Sequence, residues 1–67
     1  MAASVKQLKL RRLAHSIPRT RVARRMNCSY SYVRQLEAGS VKGAALKKWT
    51  PIYRDVVNQL IEEKIGE

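Results

Sequence analysis

Residues 18–39, PRTRVARRMNCSYSYVRQLEAG, decide the fold. Pro18 suits the first turn of a helix, where its missing N–H costs nothing and its fixed φ is already helical. From there to Met26, Val22, Ala23 and Met26 share one face while Arg19, Arg21, Arg24 and Arg25 fill the rest, which predicts a short amphipathic helix. Asn27 tolerates the left-handed conformation that ends a helix sharply, so a tight turn is expected there. Ser29 then caps the next helix, with Tyr30, Ser31 and Tyr32 in its first turn, Val33 and Leu36 on its buried side and Gly39 as its stop.

On the N-terminal side, Val5, Leu8, Leu10 and Leu13 lie among Lys6, Lys9, Arg11 and Arg12. They read as one apolar stripe on a helix over residues 4–15 that stops near Ser16, with Ile17 packing just outside the helix that follows. On the C-terminal side, a linker over Ser40–Gly43 precedes a brief helix at Ala44–Trp49 that turns Leu46 and Trp49 inward. Thr50-Pro51 then supplies an N-cap and a first helical residue, which predicts a fresh start and a last helix to about Ile65 with Ile52, Val56, Leu60 and Ile61 on one side. The expectation is an all-α bundle of about five short helices in a single domain spanning residues 1–67, without strands or repeats.

A domain of this length buries only about 60% of its unfolded surface, so its stability margin is thin and dimerisation would help. Charge is the most informative bulk property: 14 Lys and Arg face 5 Asp and Glu, a net charge of +9. Residues 1–42 hold ten basic and one acidic side chain and residues 43–67 hold four of each, so the first part is +9 and the second neutral. This segregation points to a polyanion-binding part, residues 1–43, and an assembly or core-completing part, residues 44–67. The apolar residues form neither a secretory signal nor a bilayer span. Cys28 is alone, with no Cys or His cluster around it, which fits a reducing cytoplasm and no metal.

Helix, tight turn and helix with this spacing resemble the helix-turn-helix of the lambda-repressor-like family, which includes phage repressors and Cro proteins. The likeness covers roughly residues 8–42. It rests on Val22, Ala23 and Met26 before the turn, on Asn27, Cys28 and Ser29 where the family has Gly, a hydrophobic residue and Ser, and on Val33, Leu36, Glu37 and Gly39 after it. The resemblance implies an ion pair between Arg12 and Glu37 and a recognition helix, from about Ser29 to Ala38, lying in the major groove. Tyr30, Ser31, Arg34 and Gln35 are then the candidates for base edges, Arg34 for guanine and Gln35 for adenine. Arg19, Arg21, Arg25, Tyr32 and Lys42 become candidates for the phosphate backbone. Beyond Gly43 the likeness fades.

The implied function is a transcriptional regulator of prokaryotic or phage origin. It would act as a repressor and as a homodimer on an inverted repeat, with Ile52, Val56, Leu60 and Ile61 forming the dimer interface or else completing the monomer's core. Three other readings use the same features: an excisionase-like protein that bends DNA, an antitoxin-type module holding a protein through its last helix, and a binder of structured RNA. Enzymatic function has no support, because there is one His, one Cys, no paired carboxylates in residues 1–43 and no phosphate-cradling glycine loop. No cofactor or small-molecule ligand is expected. His15 reads as an ordinary helix-end residue, Cys28 as a small buried hydrophobe, and Trp49 and Tyr53 as core or interface.

Overall fold

The computed structural model describes residues 4–66, which form four helices and no strand: α1 (Val5–Ala14), α2 (Arg19–Met26), α3 (Tyr30–Ala38) and α4 (Gly43–Ile65). Each of the first three begins and ends on a local signal. Ser4 accepts from the Gln7 amide while the Gln7 side chain accepts from the Ser4 amide, a reciprocal cap that opens α1. Ser29 Oγ accepts from the Tyr32 amide at 3.1 Å to open α3. Asn27 (φ 57°) closes α2 and Gly39 (φ 83°) closes α3, both in the left-handed region. Pro18 stands one place earlier than expected, just outside α2 with extended backbone.

The end of α1 depends on a less obvious residue. Ser16 takes φ 57°, and the amides of Ser16 and Ile17 return to the carbonyls of Leu13 and Arg12. That return delivers Ile17 into the core at 3% exposure. A serine is strained in this conformation and a glycine is not. Ser16→Gly is expected to stabilise the domain by about 0.5–1 kcal/mol, read as a raised thermal midpoint.

The buried face of α1 differs from the stripe expected. Leu8 and Arg12 are buried and Val5 is half-buried, whereas Leu10 and Leu13 are exposed. At about 100° per residue, Leu13 falls about 80° and Leu10 about 140° from Val5, so the four apolar residues never shared one face. Arg12 sits in the arc between Val5 and Leu8.

The second correction concerns the C-terminal half. The two helices expected there are one, because α4 runs through Pro51 without a break. Proline inside a helix removes one hydrogen bond and crowds the preceding turn, at about 3 kcal/mol. Burial on both sides outweighs it: Leu46 and Trp49 pack against the core before Pro51, and Tyr53, Val56, Val57, Leu60 and Ile61 are buried after it. The Thr50 hydroxyl, expected to cap a new helix, donates instead to the Leu46 carbonyl at 2.6 Å within the same one.

The remaining core comes from Val22, Ala23 and Met26 of α2, Val33 and Leu36 of α3, and Val41 in the connection to α4. Val56, Leu60 and Ile61 are at most 6% exposed within one copy, and of the stripe offered as a dimer interface only Ile52 reaches the surface. That stripe completes the monomer's own core. Among the described residues, no helix is long and apolar enough to cross a membrane.

Candidate nucleic-acid interface

The alternation in α3 divides its residues between two faces. Val33 and Leu36 point into the core at 0% and 1% exposure, which turns Tyr30, Ser31, Arg34 and Gln35 outward. Ser31, Arg34 and Gln35, with Ala38 and Ser40, line one open concavity of about 310 Å3 whose walls are polar and apolar in nearly equal parts. Tyr30 lies beside it, and the Arg19 guanidinium from the start of α2 stands 5.7 Å from its ring centroid. No side chain caps the start of α2; the Arg21 amide donates to the Pro18 carbonyl at 3.2 Å, and the amides of Arg19 and Thr20 precede that first bond of the helix.

What holds α3 in this attitude is a buried ionic cluster. Arg12 and Glu37 pair bidentately, Nε to Oε2 at 2.8 Å and Nη2 to Oε1 at 3.1 Å, with both side chains at most 3% exposed. The third nitrogen of Arg12 donates to the Ile17 carbonyl at 2.7 Å, which leaves the guanidinium well satisfied. Glu37 also accepts the Tyr53 hydroxyl from α4 and lies 3.3 Å from Arg19 Nε. Burial pushes the Tyr53 phenol up, the adjacent Glu37 carboxylate reinforces the shift, and Arg12 opposes it, so the phenol keeps its proton and donates. All four elements therefore meet at one carboxylate. The expected Arg12–Glu37 pair is present; the Tyr53 and Arg19 contacts carried no sequence signal.

The candidate phosphate contacts are scattered. Lys42 is exposed at the start of α4. Arg25 is committed elsewhere: Glu63 of α4 holds it bidentately at 2.7 and 2.9 Å, with Gln59 at 3.5 Å. Hydrogen bonding to Arg25 holds the Glu63 carboxyl below its ordinary range, and Arg21 adds a smaller push in the same direction, so both arginines lie toward the C-terminal end of α4. Tyr32 is half-buried, its ring edge-on to Trp49 at 5.4 Å and 62°, and serves packing between α3 and α4. Of the nine reading and backbone candidates, the structure gathers Tyr30, Ser31, Arg34, Gln35 and Arg19 on one side and takes Arg25 and Tyr32 into other contacts.

The residues set aside from function behave as packing elements. Cys28 lies partly buried against the core, which pushes its thiol up and away from the reactive thiolate. Tyr53 is fully buried. The His15 carbonyl accepts from Lys64 Nζ at 2.6 Å, tying the ends of α1 and α4 together. A scan against protein-family models and searches of curated proteins and of solved structures found no match to this chain.

Proposed function

We propose that this chain is a sequence-specific, double-stranded DNA-binding transcriptional regulator of the lambda-repressor-like kind, and that α3 is its recognition helix. The observation that carries this reading is the outward face of α3: two hydroxyls, a guanidinium and an amide in adjacent positions, on a helix whose opposite face is locked in the core. These are the groups that read base edges in a major groove. The net charge of +9 carried by residues 1–42 supports the same reading, since a phosphate backbone attracts a basic surface.

In this reading Tyr30 and Arg34 are the chief readers of base edges. Ser31 and Gln35 support them, while Arg19, the amides of α2, Arg21 and Lys42 engage phosphates. Two copies bind an inverted repeat whose half-sites are about 34 Å apart, repressing transcription in the cytoplasm of a prokaryotic or phage-infected cell. The α4 stripe being internal, the copies meet through other surface.

Selection of bound sequences from a random duplex pool tests the assignment. A single inverted-repeat motif is expected. Arg34→Ala should lose about 1–3 kcal/mol and relax one base position, whereas Lys42→Ala should weaken all sequences alike. A pool that enriches no motif, or an Arg34→Ala protein that keeps the full motif, overturns the reading.

A further inference from the structure

One large feature lies apart from the base-reading residues Tyr30, Ser31, Arg34 and Gln35. A groove of about 780 Å3 runs between the start of α1, the end of α3 and the first two turns of α4. Its lining is mainly apolar and includes half-buried Val5 of α1, half-buried Leu46 of α4 and buried Val41 of the connection between α3 and α4. Lys6 and Lys9 border it from α1 and Lys42 from the start of α4. Glu37 also borders it, but that carboxylate is buried and saturated by Arg12, Tyr53 and Arg19. None of the three lysines belongs to an ion pair among the described residues.

We infer that this groove is a docking site for an acidic amphipathic segment of another protein, a helix that sets apolar residues on the groove floor and carboxylates against both lysine banks. The argument is charge complementarity. Cations on both sides of an apolar trough match a ligand with anionic groups along both edges, as an amphipathic helix provides, and Lys6 and Lys9 are spaced to meet carboxylates one turn apart. A fatty-acid-like amphiphile carries one anionic head and favours an enclosed pocket for its tail, whereas this cavity is open to solvent and bordered by three lysines. A second copy of this chain brings a net charge of +9 and four acids confined to residues 43–67, so it matches the three lysines less well than an acidic segment does. The inference shares only Lys42 with the proposed phosphate contacts, and its test uses Lys6 and Lys9, which have no part in that reading.

The test uses the full chain and a synthetic helical peptide bearing leucines on one face and glutamates on both edges, with a glutamine-for-glutamate version as its control. Amide chemical shifts at Val5, Val41 and Leu46 should move with the glutamate peptide. Binding should weaken about tenfold with the glutamine peptide, and by a similar factor with the Lys6→Glu, Lys9→Glu double variant, whose substitutions lie on the rim and spare the core. Equal affinity for both peptides overturns the inference. So do shifts confined to Tyr30–Gln35 and the α2 arginines, which mean general polyanion binding. Decanoate moving the groove amides where the peptide does not assigns the groove to a lipid instead. Self-association that the double variant abolishes assigns it to a second copy.

Discussion

Glu37→Ala is expected to destabilise the domain by about 3–5 kcal/mol, because it strands the Arg12 guanidinium without a counter-charge in a site almost closed to water. For a domain of this size each kcal/mol moves the thermal midpoint by about 4–8 °C, so the variant should melt more than about 12 °C below the parent. Tyr53→Phe, which removes one donor and no charge, should fall by only about 1–2 kcal/mol. The Arg12→Met, Glu37→Leu double variant should recover much of the loss, since neither charge is left behind. Thermal or urea unfolding of the four proteins measures the pattern, and a Glu37→Ala loss under about 1 kcal/mol would show that the cluster is not what holds α3.

Ile61→Lys should be as damaging for a different reason. At 2% exposure Ile61 lies inside the core, so lysine there forfeits apolar burial and places an ammonium among Val and Leu side chains. We expect a loss of more than about 4 kcal/mol and a chain unfolded at every concentration. Ile65→Lys, on the same helix but 71% exposed, should stay within about 0.5 kcal/mol of the parent. Circular dichroism with sedimentation separates the outcomes: a folded, monomeric Ile61→Lys protein would mean that the residue faces a partner copy instead.

How far the fold could be read depended on how local each determinant is. Asn27, Ser29 and Gly39 act on the backbone within a turn of themselves, and the α2–α3 unit was legible residue by residue. The inward Val33 and Leu36 then fixed which side chains of α3 face out. Arg12 was legible only through the family resemblance, because a charged residue in a buried arc contradicts polarity patterning. Thr50-Pro51 is a correct local signal overridden by tertiary packing, since residues on both sides of it are held in one core. Arg25 and Tyr32 have the right chemistry for phosphate, yet their partners Glu63 and Trp49 lie far along the chain, where spacing says nothing. The same distance hid Tyr53 from Glu37 and the groove walls from each other.

Pro51 does more than interrupt a hydrogen-bond ladder. It leaves the Lys47 carbonyl without its usual amide donor, and the turns before it anchor only the half-buried Leu46 and Trp49, against five buried residues after it. A helix continuous in shape is thereby expected to open in two steps. Native-state hydrogen exchange should show amides before Thr50 opening at distinctly lower free energy than those from Tyr53 to Ile61, which should exchange only with global unfolding. If those amides do open first, Lys42, Lys47 and Lys48 belong to the part of the chain that moves while the rest of the domain stays folded.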